Sequence, residues 1–341
     1  MKTKKIIIGI CIFLVAVMAA GAAYAKFELF KKYSYEPVRV NFAQTCGTRQ
    51  EMDSILIASL GKSFGSSVSR LTHLMGVKPQ EVHGSYQVAP GMTAIKFARN
   101  LKYRRQTPVR LTFNNLRYLS DLSAKVASVL EMDSAAFMRG CREVLVPLGY
   151  NEYSMPAAFL PDTYEFFWTD SPSTVVKKLH AEHDRFWTEE RRKKAKELGF
   201  NTTEVATIAS IVEEETNKRE ERPAIARVYM NRVYRDMFLQ ADPTIKYVLG
   251  DWSIRRVVNP ERQVDSPYNT YTQKGLPPGP IRIVDRTSLD AVLNAPEHNY
   301  VYMCAKPDFS GYHNFAETYP EHRINAQNYH RALDARGIKN F

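Results

Sequence analysis

"IASIVEEETN", residues 208–217, sets three glutamates in a row directly after an apolar run. Adjacent carboxylates repel one another and cannot all face a core, so their placement around the backbone decides what each one does. Just upstream, "NTTE" at 201–204 has the pattern of a capping box, with Asn201 accepting from the first turn of a helix and Glu204 reaching back. The helix it opens carries Val205, Ile208, Ala209 and Val212 at i, i+3, i+4 and i+7, the spacing of one buried face. At about 100° per residue, Glu214 falls about 180° from Val205 and is expected in water, while Glu213 and Glu215 fall about 80° to either side. A carboxyl on those flanks can be half desolvated and its pKa raised, as a general acid at neutral pH requires. The plainer role for the same groups is ion pairing with Lys218, Arg219 or Arg222 on the following turns.

Working outward, the segment from Pro223 to about Arg235 reads as a second helix, followed by a loop that holds Gln240 and Asp242 before Pro243. "SPYNTYTQKGLPPGPI", 266–281, is polar, aromatic and rich in glycine and proline. "YVYMCAKPDFSGYHNFAETYPEH", 300–322, reads as a hairpin turning at Asp308 to Gly311. Loops that combine fixed turns with tyrosine faces and Asn, Gln and Asp side chains suit carbohydrate, since rings stack on sugars and the polar groups read hydroxyls.

Toward the N-terminus, "EPVRVNF" is a strand and "DSILIASLGKSFGSSVSRLTHLMGVKP" is helical, broken at glycine and serine. Residues 83–113 alternate as a strand, turn at Pro90 and Gly91, enter a helix with Thr93 as cap, and end in "PVRLTF". These pieces form a small α+β module over 37–115, closed by that last strand. A helical region follows. In "FLPDTYEFFWTD", 159–170, the proline and Asp162 suit a turn beside aromatics, and 171–198 reads as one charged helix whose basic run is a solvated face. The fold class is α+β.

The first residues settle the compartment. "IIIGICIFLVAVMAAGAAYA", 6–25, is uncharged and matches the roughly 20 residues needed to cross a bilayer. Lys2, Lys4 and Lys5 precede it, so the N-terminus is expected in the cytoplasm and the remainder outside. A cleaved secretory signal is the alternative, with "AYA" at 23–25 as its cleavage site. The net charge of +11 calls for an anionic partner, and export turns that from nucleic acid toward a lipid surface or cell-wall polymer. Cys11 lies in the anchor, and Cys46, Cys141 and Cys304 are too scattered to give a metal motif or a disulfide framework.

The blocks "ASIVEEET", "ERPAIARVYMNRV", "LQADPTIKY", "YNTYTQKGLPPGPI" and "HNFAETYPEH", with "FLPDTYEF" and "GSYQVAPGMT" upstream, occur in an order and spacing that resembles the MltG (YceG-like) family of endolytic murein transglycosylases. Where that family usually carries Glu-Gly ahead of a Phe-Pro-Asp-Thr-Tyr block, this chain has Pro156 and Ala157, and Leu160 replaces the Phe. The resemblance implies a single-pass enzyme of the bacterial cytoplasmic membrane, with a LysM-like module at 37–115 ahead of a catalytic domain at 116–341. It would be a lyase, cutting nascent peptidoglycan strands internally between MurNAc and GlcNAc to leave a 1,6-anhydromuramic end, beside peptidoglycan synthases. The resemblance also implies Glu213 as the catalytic residue and Glu215 as a supporting carboxylate. Gln240, Asp242, Tyr268, Asn269 and Tyr271 would line the sugar groove, His313 and Glu317 would border it, and neither metal nor cofactor is implied. A non-catalytic peptidoglycan-binding scaffold and a hydrolytic muramidase, which would need a second positioned carboxylate, are the competing functions.

Overall fold

Helix α1 (Lys2–Phe30) opens the computed structural model, which describes residues 2–254 and 261–337. From Ile6 to Phe30 it is long and apolar enough to cross a membrane, and its isoleucines and Phe13 are exposed all round. A helix apolar on every face has no core to seek within its own chain, so it fits a transmembrane helix.

The chain divides into two compact units, one of residues 1–110, 129–131 and 165–170, the other of 111–128, 132–164 and 171–341. In the first, β1 (Val38–Phe42) is followed by α2 (Arg49–Leu60), α3 (Lys62–Leu74), β2 (Gly84–Val88) and α4 (Ala94–Lys102). β1 and β2 are antiparallel, with Val38 opposite Val88 and Phe42 opposite Gly84. Thr48 and Glu51 form a reciprocal capping box on α2, and Gly61 separates α2 from α3 at a φ of 76°, which favours glycine. A Cβ on Gly65 would lie 2.5 Å from the Leu56 carbonyl oxygen, so the two helices cross where only glycine fits. Val40, Phe42, Leu56, Val68, Tyr86 and Phe97 fill the core between them. Thr93 stands at the start of α4 as expected, but its side chain makes no capping bond.

Strand β3 (Val109–Phe113), expected to close this module, pairs instead with β4 (Asp162–Phe166). The expected turn at Asp162 is therefore the first residue of a strand. Tyr164 and Phe166 point inward while Thr163 and Glu165 point out, and Phe113 stacks on Tyr164 at 5.7 Å. Burying two rings on one face outweighs the local turn preference of Pro-Asp.

The second unit contains α5 (Leu119–Ala127), α6 (Ser134–Leu145), α7 (Pro172–Phe186), α8 (Glu189–Glu197), α9 (Thr202–Glu215), α10 (Arg222–Tyr234), α11 (Asp242–Leu249) and α12 (Arg286–Leu293). The antiparallel hairpin of β5 (Tyr302–Ala305) and β6 (His313–Ala316) follows, and then α13 (Tyr319–Ala335). The single charged helix expected over 171–198 is two. Phe186 and Trp187 turn into the core, and Thr188 restarts the chain as a cap, accepting from the Arg191 N–H.

The capping box of Asn201 and Glu204 is present on α9. Its burial differs from the one-faced helix expected: Val205, Ala206, Thr207, Ile208, Ala209, Ser210, Ile211 and Val212 are all buried, with α8, α10, α11 and α12 packed around them. Ser210 accepts the Ile281 N–H at 3.0 Å, tying the end of the 266–281 loop to this central helix. In the same loop a Cβ on Gly279 would come within 2.0 Å of the Tyr153 carbonyl oxygen, an approach that only glycine permits.

Candidate active site

The last turn of α9 delivers its three glutamates to three different surroundings. Glu213 is buried, its side chain 4% exposed, with Oε1 3.0 Å from Nη2 of Arg282 and Oε2 accepting the Asp285 N–H at 3.1 Å. Burial pushes its pKa up, against the pull of Arg282. Glu214, expected in water, is 9% exposed and held by two arginines. Arg117 reaches it with Nε at 3.2 Å and Nη2 at 3.3 Å, and Arg282 with Nη1 at 2.8 Å. The Arg117 guanidinium in turn lies 4.0 Å over the Trp252 ring. The outward position read from helical phase holds only when the far side of the helix meets solvent, and here it meets packed chain.

None of the neighbouring cations expected to pair with the triplet does so among the described residues. Arg222 goes to Asp285, at 3.2 Å, and to Ser288, at 2.7 Å. Three carboxylates at a helix C-terminus also face the negative end of the helix dipole, so Arg117 and Arg282 offset two unfavourable effects together.

Glu215 turns the other way. Its Oε1 accepts the Tyr229 hydroxyl at 2.6 Å, and it lines a cleft of about 260 Å³ with Tyr229, Arg232, Gln240, Asp242, Arg262, Tyr271, Cys304 and His313. Burial raises its pKa; the Tyr229 hydrogen bond opposes this and the nearby Asp242 charge adds to it. Tyr271 donates its hydroxyl to Asp242, and the Arg262 guanidinium lies 4.7 Å over the Tyr271 ring. Asp242 is the first residue of α11 rather than part of the preceding loop. Gln240 sits at a φ of 49°, its N–H bonded to the Thr270 carbonyl at 3.0 Å. His313 reaches the cleft from β6, clamped by Glu221 through its N–H at 2.7 Å and Nδ1 at 2.8 Å.

Of the residues expected at the site, the structure brings together Glu215, Gln240, Asp242, Tyr271 and His313. Glu213 lies off this cleft, in the arginine network. Tyr268 is a core residue, packed on Tyr247 at 4.9 Å and Tyr153 at 6.1 Å. Asn269 is fully buried and braces the loop, its amide donating to the carbonyls of Arg262 at 3.0 Å and Val264 at 2.7 Å. Its Oδ1 accepts the Tyr271 N–H at 3.0 Å, which sets Tyr271 toward Asp242. Glu317 is exposed, its N–H directed to Glu321 at 3.2 Å, and does not border the cleft. Sequence reasoning missed Tyr229, which the helical spacing of α10 presents as one more core residue, and Arg117 and Arg282, which no local pattern links to the triplet. A larger cleft of about 860 Å³ lies against α7, but it holds none of the expected residues and no buried carboxyl.

Residues 60–328 match the profile of the YceG-like family. The chain belongs to that family. Among its relatives is the endolytic murein transglycosylase of Bacillus subtilis (strain 168), 32% identical over 178 residues, 52% of this chain and 49% of that protein. Another is the endolytic murein transglycosylase of Streptococcus pneumoniae serotype 2 (strain D39), 35% identical over 161 residues, 45% of this chain and 28% of that protein. The chain thus spans half or less of the length of these curated relatives. The crystal structure of a yceG-like protein from Listeria monocytogenes superposes with a TM-score of 0.54 at 24% identity, covering 85% of this chain and 99% of that one, and so shares the fold. At the departure from the YceG-like pattern, Pro156, Ala157 and Leu160 are all buried, the first two in a short 3₁₀ turn.

Proposed function

We propose that this YceG-like chain is an endolytic murein transglycosylase, with Glu215 as its acid and base. The observation that carries the proposal is that Glu215 lines a cleft, desolvated and with its pKa raised, beside Asp242 and Tyr271. The protonated carboxyl gives its proton to the glycosidic oxygen between MurNAc and GlcNAc as the C1–O bond breaks, freeing GlcNAc as an alcohol. The resulting carboxylate then takes the proton of the muramic 6-hydroxyl, whose oxygen closes on C1. One residue serves both steps and regains its proton, and no water is consumed. Tyr229 holds Oε1 and so directs Oε2 to the substrate. Burial raises the pKa of Glu215, the Asp242 charge adds to that rise, and Asp242 places negative charge near the developing oxocarbenium ion. Glu213 has a structural role here, locking the last turn of α9 to Arg282.

Mass spectrometry of digested, uncrosslinked glycan strands tests this reading. New 1,6-anhydromuramic ends are expected. Reducing muramic ends that have gained water would make the protein a muramidase using Asp242 as its second carboxylate, and intact strands would make it a scaffold.

The same reading puts α1 across the cytoplasmic membrane, with the N-terminal lysines inside and the chain after the helix outside, next to peptidoglycan synthases. Within the 37–115 region, the strand–helix–helix–strand order from β1 to β2 supports a separately folded, LysM-like module. Cell fractionation with N-terminal sequencing is expected to recover the protein in the membrane with its first residues retained. A soluble exported form beginning near Lys26 would refute the anchor.

A further inference from the structure

His180 and His183 stand one turn apart on α7, in "HAEHD" at 180–184, against the 860 Å³ cleft that the cleavage chemistry does not use. Both are buried, and their rings stack with centroids 4.9 Å apart and planes at 27°. The pair is clamped along both edges. On one edge His180 Nδ1 lies 3.2 Å from Oδ2 of Asp184, and His183 Nδ1 lies 3.4 Å from its Oδ1. On the other, the two Nε2 atoms lie 3.3 Å and 3.4 Å from the same Tyr150 hydroxyl oxygen.

The protons do not suffice for these four contacts. Each neutral imidazole carries one N–H, the Tyr150 hydroxyl supplies one proton, and the carboxylate only accepts, so three protons serve four contacts. If both rings donate from Nδ1 to Asp184, Tyr150 can donate to one Nε2 and faces the other with a lone pair. If either ring moves its proton to Nε2, a bare Nδ1 faces the carboxylate. One cation between the two Nδ1 atoms and Asp184 resolves every contact. Both Nε2–H groups then donate to the two lone pairs of the Tyr150 oxygen, the way a ligating histidine is held through its other nitrogen.

The geometry points to a site for one divalent transition ion of the zinc class, ligated by His180 Nδ1, His183 Nδ1 and the Asp184 carboxylate. One ligand atom from each of the three residues lies within 4.8 Å of the other two. His180 Nδ1 reaches one oxygen of the carboxylate, Oδ2, at 3.2 Å and His183 Nδ1 reaches the other, Oδ1, at 3.4 Å, so one carboxylate faces both imidazole nitrogens. Two imidazoles with one carboxylate suit zinc rather than calcium or magnesium, which prefer oxygen alone. Arg192, with Nη2 3.4 Å from Oδ1 of Asp184, is the competing cation that the ion displaces. All three residues line the cleft.

The test uses the full chain in detergent, untagged and stripped with chelator, titrated with zinc chloride by calorimetry and with cobalt(II) by visible absorption. One equivalent of zinc, a rise in melting temperature and the intense ligand-field bands of low-coordinate cobalt are expected. Asp184→Asn, at a side chain 54% exposed, should weaken zinc binding by about 100-fold or more, and Tyr150→Phe by about 10- to 100-fold, with circular dichroism confirming that both variants fold. Arg192→Ala should tighten it. Asp184→Asn also retains every cysteine, so unchanged affinity in that variant would assign the zinc to thiols and overturn the site. The absence of saturable binding, or of a melting shift, in the wild-type chain would overturn it as well.

Discussion

Glu215→Gln is expected to fold normally, retain glycan binding and lose strand cleavage by roughly 10²- to 10⁴-fold, or more because the same group serves as acid and base. The amide preserves the bond from the Tyr229 hydroxyl but has no proton to give. Glu213→Gln should keep near-normal cleavage once folded, because its carboxyl faces Arg282 and the Asp285 N–H rather than the cleft. Purified variants assayed on uncrosslinked strands, with circular dichroism as a check on folding, decide between the two. A folded Glu213→Gln enzyme that is dead beside an active Glu215→Gln would transfer the catalytic role.

The same carboxyl sets a pH dependence. Its raised pKa keeps the acid protonated above the ordinary glutamate range, so the rate should fall as pH rises through that raised value. Asp242→Asn removes a charge that holds the pKa up and should move this basic limb to lower pH. Stability has the same sign. The native state binds the proton more tightly than the unfolded chain, so its contribution is fully present below the ordinary glutamate value and is lost as pH rises through the raised one.

Arg282→Met has the second large expected effect. It leaves the buried Glu213 carboxylate without its cation and takes one of two arginines from Glu214. Removing one partner of a buried ion pair costs about 3–5 kcal/mol. For a unit of this size that corresponds to a melting point lower by roughly 6–20 °C. The loss should shrink as pH falls, because Glu213, whose pKa is already raised, can then take a proton. Adding Glu213→Gln to Arg282→Met should recover much of it. A melting point within a degree or two of the wild type would show that Arg282 does not hold the end of α9.

Much was legible locally. The long apolar N-terminal helix follows from composition, the α9 cap from four residues, the β5–β6 hairpin from its turn, and the family from ordered blocks that keep their spacing. Each is a matter of neighbours in sequence, where backbone geometry and side-chain type suffice. Elements that depended on distant partners were misread: β3 joins β4 rather than its own module, 171–198 breaks so that Trp187 can be buried, and Tyr268 and Asn269 serve the loop instead of the groove.

The glutamate triplet shows the division most clearly. Sequence by itself determined that three carboxylates leave one helical turn about 100° apart, and that the two flanking the stripe differ from the middle one. Tertiary structure decided which one faces a cleft. Helical phase assumes one buried side, whereas α9 is enclosed on nearly all sides, and the cations that compensate Glu214 come from 97 and 68 residues away. Long-range charge compensation leaves no periodic trace in the chain, so only the packed fold could separate the carboxyl held by arginines from the carboxyl that lines the cleft.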